Sequence, residues 1–266
     1  MACSDPFLSY LKAFGYNPIR FPKADVRPLQ ILTGDKRALD RLGELATVLV
    51  TGTHIPLPVI DPDKPAADIN GQSTSDLSIG IGLSILGTVI GAMGGSTLGV
   101  DASYKQAKTI TFEFHDVLTD SIEVAKLDQY LADADVSPFS RYVGELLEAE
   151  EIYVISATIK SSKFTTEAKS SNGTSLQVKV PDIQGVVGEN VKVSGDASAT
   201  ARITYEGKTP LVFGFQAVQL FYDQGRYTRL KPLQPGATGA KALARAPKDG
   251  SERLVTPGAF VRLSTE

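Results

Sequence analysis

Apolar or small residues alternate with polar ones without exception from Val191 to Glu206. Val191, Val193, Gly195, Ala197, Ala199, Ala201, Ile203 and Tyr205 stand against Lys192, Ser194, Asp196, Ser198, Thr200, Arg202, Thr204 and Glu206. Period two is the signature of a strand with one apolar face, and at about 3.3 Å per residue the run predicts a single strand of roughly 50 Å. A second alternation opens Leu77–Val100, 24 residues without a charge, with Leu77, Ile79, Ile81, Leu83 and Ile85 opposite Ser78, Gly80, Gly82 and Ser84. A rival pattern overlaps it, because Gly87, Gly91, Gly95 and Gly99 recur every four residues, as on a close-packed transmembrane helix. Seven glycines, three serines and two threonines leave twelve apolar residues there, against the ~20 of a spanning helix, so the strand is the better reading. A buried strand pair of a soluble sheet would show the same periodicity.

The remaining pattern predicts a mixed chain. Asp5 and Pro6 start a short amphipathic helix with Cys3 at its head, Phe7, Leu8, Leu11 and Phe14 on one face, and Gly15 as its stop. Val26–Leu32 reads as a first strand, and Leu39, Leu42, Leu45, Ala46 and Leu49 predict a helix over Asp35–Val50. Pro56, Pro58, Pro62 and Pro65 predict a loop. Ile110, Phe112 and Phe114 mark a strand, Asp120–Ala134 a helix, and Ser137 with Pro138 the start of a second helix burying Phe139, Tyr142, Val143, Leu146 and Leu147. Ile152–Phe164 and Leu211–Tyr222 are further strands, and Pro232–Ser251 has the composition of a linker before a short apolar tail.

Composition narrows what such a chain can do. At 266 residues and 42% hydrophobic it can bury a substantial core, and a net charge of −3 without a basic-aromatic run gives no reason to expect nucleic acid. One cysteine and two histidines build neither a disulfide framework nor a cluster with metal-ligand spacing. The start lacks a basic region followed by an apolar run, so the expected location is cytoplasmic. His54 and His115 sit near no nucleophile motif, and Gly80 and Gly82 lack the βαβ setting of a dinucleotide site. Glu148, Glu150 and Glu151 read as a solvated helix end. No catalytic residue, cofactor site or metal site is expected; the chain reads as one that acts by changing its shape or its company.

In order, MACSDPFLSYLKAFGY, the glycine-rich Leu77–Val100 running into TITFEFHDV, VKVSGDASATARITYEG, TPLVFGFQAVQLFYD and a short tail after a linker resemble the bacterial gasdermins over essentially the whole length. The resemblance implies an α+β fold, a twisted central antiparallel β-sheet with surrounding helices, like the gasdermin N-terminal domain, plus a short inhibitory C-terminal peptide. It implies a pore-forming region over residues 1–235, a cleavable linker over 236–253 and an autoinhibitory peptide over 254–266. A protease encoded nearby would remove the peptide; the freed monomer would insert β-hairpins into the inner membrane and assemble into a homo-oligomeric pore that kills an infected cell. Cys3 matches the position that is acylated with palmitate in that family, the one covalent group expected.

The residues fit these expectations. Transmembrane strands need about 9–11 alternating residues, so Leu77, Ile79, Ile81, Leu83, Ile85, Val191, Val193, Ala197, Ala199, Ala201 and Ile203 are candidates to face lipid. Residues 87–99 break the alternation and leave the turn of that hairpin unplaced. Lys241, Arg245, Lys248 and Arg253 are candidate cleavage points in an aperiodic stretch. Leu254, Val255, Phe260, Val261 and Leu263 are too apolar for a free tail in water and are expected to dock on the body. The alternative is a non-enzymatic soluble β-rich lipid-binding or scaffold protein whose long strands never leave the fold.

Overall fold

Two long alternating segments form the spine of the computed structural model, which describes residue 11 and residues 14–34, 39–51, 54–66, 74–78, 86, 107–177, 192–194 and 202–233. In chain order the elements are β1 (Asn17–Lys23), β2 (Gln30–Thr33), β3 (Asp40–Glu44), α1 (Leu45–Val48), β4 (Leu49–Thr51), β5 (Asp61–Pro65), β6 (Thr74–Ser78), β7 (Thr109–His115), β8 (Leu118–Ser121), α2 (Val124–Asp133), β9 (Ala134–Val136), α3 (Arg141–Glu148), β10 (Ile152–Lys169), β11 (Lys192–Ser194), β12 (Arg202–Asp223) and β13 (Arg226–Pro232). β10 and β12 pair antiparallel from Tyr153↔Gln219 to Glu167↔Arg202. The outer edge of β10 is taken in succession by β2, β8 and β7, and that of β12 by β13, β1 and β11. β3, β5 and β6 then add to β2, β8 and β7, so every pairing is antiparallel. β4 and β9 make a separate two-stranded sheet. With α1, α2 and α3 beside the sheet, the fold is the expected α+β one.

Alternation decides which face each residue serves. At the base of the spine Ile152, Val154, Val218 and Leu220 point to the helices and join Leu127, Tyr130, Leu131 and Leu147 in one core cluster. Tyr153, Ile155, Phe215 and Ala217 point the other way and pack with Ile19, Leu32 and Leu39. A strand buried on both faces explains why this part reads as near-continuous apolar sequence. Gln224 and Gly225, both with positive φ of 52° and 76°, close the β12–β13 hairpin in the two-residue turn that matches strand twist.

Several expectations give way to tertiary pairing. Of the helix expected over Asp35–Val50, among the described residues only Leu45–Val48 is helical; Asp40–Glu44 is strand because β3 hydrogen-bonds to β2, Leu49 and Val50 belong to β4, and Leu39 packs in a different core cluster from Leu45 and Leu49. The strand expected over Val26–Leu32 is found in its last three residues, within β2, and β1 precedes it, a strand that tolerates Pro18 and Pro22 where its register to β12 shifts. Part of the expected proline loop, β5, pairs with β8. Asp120 belongs to β8, so α2 starts at Val124.

α3 starts after Ser140 rather than Ser137, which turns Phe139 and Tyr142 outward at 95% and 62% exposure and leaves Leu147 as its buried residue. The helix expected to stop at Gly15 has its end in view: Leu11 is helical, Gly15 has φ 78°, and Tyr16 N–H donates to the Leu11 carbonyl at 2.9 Å, a Schellman closure.

Candidate functional site

The 16-residue run from Val191 to Glu206 is not one strand: it folds back on itself, with Lys192↔Glu206, Val193↔Tyr205 and Ser194↔Thr204 paired across β11 and β12. Partners differ by even numbers, so paired residues keep the same parity across β11 and β12, and the alternation is as regular in a hairpin as in a straight strand. The long strand is β12, 22 residues, which joins the second half of this run to the expected Leu211–Tyr222 strand through Gly207 and Pro210.

Beyond that point the sheet runs β6–β7–β10–β12–β11 and is two-faced. Phe114, Phe164 and Tyr205 form one cross-strand row, and Phe112, Thr166 and Ile203 the next. These side chains are buried, Ile203 to 1% exposure. Phe164 and Tyr205 stack at 4.9 Å between ring centroids, Phe112 lies 5.9 Å from Phe164, and Phe114 stacks on Phe213 at 4.3 Å. Aromatic pairs of this kind add about 0.5–1.5 kcal/mol each beyond the burial of their area.

The opposite face is a polar ladder. The rows Glu113–Thr165–Thr204 and Thr111–Glu167–Arg202 cross it. Thr165 Oγ1 lies 2.6 Å from His115 Nε2 and 2.9 Å from Thr204 Oγ1, and the Arg202 guanidinium pairs with Glu113. A sheet with one aromatic and one polar face is what the wall of a membrane barrel requires, apolar toward lipid and polar toward a lumen.

Below this end, Lys160 on β10 joins three strands. Its ammonium lies 2.7 Å from Asp120 Oδ2 on β8 and 2.8 Å from Asp63 Oδ1 on β5, and the Asp63 N–H donates to Asp120 Oδ1 at 2.8 Å. Burial alone would lower the Lys160 pKa, but the hydrogen bonds and negative charges of Asp120 and Asp63 outweigh it and hold the group above its ordinary value. Nothing in the sequence spacing pointed to this cluster, which exists through strand pairing alone.

The structure brings only part of the candidate set together. Ile203 is buried on the aromatic face; Leu77 lies in β6 paired with Ile110, and Val193 in β11 paired with Tyr205. Ile79, Ile81, Leu83, Ile85, Val191, Ala197, Ala199 and Ala201 lie outside the described residues. So do Cys3, the linker residues Lys241, Arg245, Lys248 and Arg253, and the tail residues Leu254, Val255, Phe260, Val261 and Leu263. Phe164, Thr165, Arg202 and Phe213 are members of the site that the spacing did not single out; the alternation of Phe164, Thr166 and Ala168 was there to find, but threonine and alanine blur it. Among the described residues no helix is long and apolar enough to cross a membrane, which says nothing of strands.

Comparison with known proteins bears on the same region. The model of the Bacterial Gasdermin Family matches residues 19–226. The chain is 60% identical over 264 residues to Gasdermin bGSDM of a Desulfuromonadales bacterium, covering 99% of each chain. It is 42% identical to Gasdermin bGSDM of Lysobacter enzymogenes, covering 91% of this chain and 89% of that one. Among solved structures, a bacterial gasdermin from Bradyrhizobium tropiciagri superposes with a TM-score of 0.56 at 14% identity, covering 99% of this chain and 98% of that one, a likeness of fold.

Proposed function

This chain belongs to the bacterial gasdermin family, and from that premise we propose that it is an autoinhibited pore-forming protein rather than an enzyme. The observation that carries the proposal is the two-faced end of the sheet, whose aromatic face is buried within the fold and whose polar face is a ladder of threonines and charges. Burial of one such apolar side chain contributes roughly 1.5–3 kcal/mol, and lipid offers the same stabilisation, so the face can exchange one apolar environment for the other. β7 has 7 residues and β6 has 5, short of the about 9–11 of a spanning strand. The alternation of Ile79, Ile81, Leu83 and Ile85 beyond β6 would supply the missing length.

Strands in lipid must leave no unpaired edge; among the described residues this sheet ends at β6 and β11, and a closed ring of copies would leave no such edge. In this reading a protease encoded nearby cuts the 236–253 linker, the 254–266 peptide leaves, and the cytoplasmic monomer enters the bacterial inner membrane as a homo-oligomer. Death of the infected cell is the defence against phage. Palmitate on Cys3 would assist insertion.

The test is leakage of dye from liposomes of bacterial lipid. The chain ending at Arg245 is expected to release dye and the full-length chain to retain it. If neither leaks while the truncated chain still binds lipid, the protein is the soluble lipid-binding alternative.

A further inference from the structure

Three columns of strand are interrupted or bulged at one level of the sheet, around the continuous β10. On the edge, β5 ends at Pro65 and β6 resumes at Thr74; in the next column β7 ends at His115 and β8 resumes at Leu118. Both halves of that second column pair with β10 in a single register, His115↔Lys163 and Leu118↔Lys160, so Asp116 and Val117 are a break in a common ladder. Asp116 has φ 49°, a left-handed conformation that a non-glycine residue in a strand column does not ordinarily take. On the other side of β10 the pairing jumps from Ser161↔Leu211 to Lys163↔Glu206, so β12 advances five residues while β10 advances two, and Gly207 to Pro210 stand against Ser162 alone. One bulge re-aims a strand; here the columns on both sides of β10 are interrupted or bulged at one level, and β10 alone runs across it unbroken.

We propose that this line is a hinge. The part beyond it, formed by β6, β7, residues 163–169 of β10, β11 and residues 202–206 of β12, moves as one leaf against the body. Ser161 is its pin: the hydroxyl lies 2.6 Å from the His115 carbonyl and 2.7 Å from the Lys163 carbonyl, and accepts the Lys163 N–H at 3.0 Å. The stack of Phe114 on Phe213 bridges the line, the first ring belonging to the leaf and the second to the body. Below the line the Lys160–Asp120–Asp63 cluster ties β10, β8 and β5 together, which fixes the body side of the joint. The hinge itself stands on the register alone; only its use, to swing the apolar face toward lipid, rests on the pore-forming reading.

Amide hydrogen exchange on the intact full-length chain tests it without a membrane. Amides of 110–114, 163–169 and 202–206 are expected to share one opening free energy, lower than that of 118–121, 153–160 and 211–219, with the step falling at Asp116, Ser161 and Gly207. Phe114→Leu should speed exchange of the leaf by up to about tenfold and leave the body unchanged. Ser161→Ala, a smaller change, should act in the same direction. A smooth gradient without a step overturns the hinge, and so does equal acceleration of leaf and body in either variant. A separate leaf in a protein whose truncated form does not leak would keep the hinge and remove the pore-forming reading, so the two failures can be told apart.

Discussion

The ammonium of Lys160 lies 2.7 Å from the carboxylate of Asp120, with both side chains largely withdrawn from solvent at 14% and 11% exposure. The pair joins β10 to β8, and the second contact to Asp63, at 2.8 Å, extends the tie to the edge strand β5. Removing one partner leaves a charge in a site that water reaches poorly, so Lys160→Met should cost about 3 kcal/mol by denaturant unfolding. Replacing both Lys160 and Asp120 by apolar residues should cost less than the sum of the single changes. Additive losses in that double-mutant cycle would show that the two groups do not interact.

The same cluster fixes a pH dependence. The folded pKa of Lys160 is raised above its unfolded value, despite burial, by hydrogen bonds and charges from Asp120 and Asp63. Its stabilisation is therefore complete below the ordinary lysine value of about 10.4 and is lost as pH rises through the higher folded value. The stability gap between the natural chain and Lys160→Met should stay constant between about pH 6 and 9 and shrink above ~10.5. A gap that changes across neutral pH would assign the effect to another group.

How much of this was legible in sequence depends on whether a feature is local. The strand of Ile110, Phe112 and Phe114 was readable because all three residues are strongly apolar and their neighbours polar. The hairpin hidden in Val191–Glu206 was not, because partners that differ by even numbers preserve the parity that the eye follows. Among the described residues of Asp35–Val50, helix spacing held only at Leu45–Val48; Asp40–Glu44 is strand because a partner strand stands at Gln30–Thr33, a contact that local spacing does not encode. Asp120 looked like a helix start; pairing of β8 with β10, Asp120 opposite Thr158, makes it a strand residue whose carboxylate meets Lys160, 40 residues away in sequence. Identity of the family was carried by the order of segments, not by any one motif.

The assignment of faces can be tested on β11. Ala199 lies outside the described residues, so the better probes are Val193 and Ser194, adjacent paired residues of opposite parity. A lysine facing lipid costs about 2–4 kcal/mol near the bilayer midplane, whereas one facing the lumen is solvated. Val193→Lys in the chain ending at Arg245 should reduce liposome leakage at least about tenfold, and Ser194→Lys should leave it near that of the parent. Equal leakage from the two would reject the face assignment.

Cys3 is the chain's single cysteine. One acyl chain supplies only marginal membrane affinity, about 0.8 kcal/mol per buried methylene, so palmitate there would assist insertion without anchoring the resting protein. Intact-mass measurement of protein from its native host should show a hydroxylamine-labile addition that Cys3→Ala abolishes. Active material of unmodified mass would end the idea.

The linker makes the most specific claim about control. KALARAPKDGSER carries Lys241, Arg245, Lys248 and Arg253 against Asp249 and Glu252 and has no apolar periodicity, a composition that leaves it open to proteases. The apolar residues beyond it, Leu254, Val255, Phe260, Val261 and Leu263, would each contribute roughly 1.5–3 kcal/mol when docked, so two or three suffice to hold the resting state. Cutting the linker would convert that docking from an intramolecular contact to a bimolecular one, and the loss of effective concentration would release the peptide. A specific protease site inserted anywhere between Lys241 and Arg253 should therefore activate leakage on cleavage, with Arg245, mid-linker, the first position to test. Phe260→Asp should bypass the protease by undocking the peptide and make the uncut chain toxic in cells. An uncut Phe260→Asp chain as harmless as the parent, together with a truncated chain that leaks, would place the inhibitory contact elsewhere in the tail.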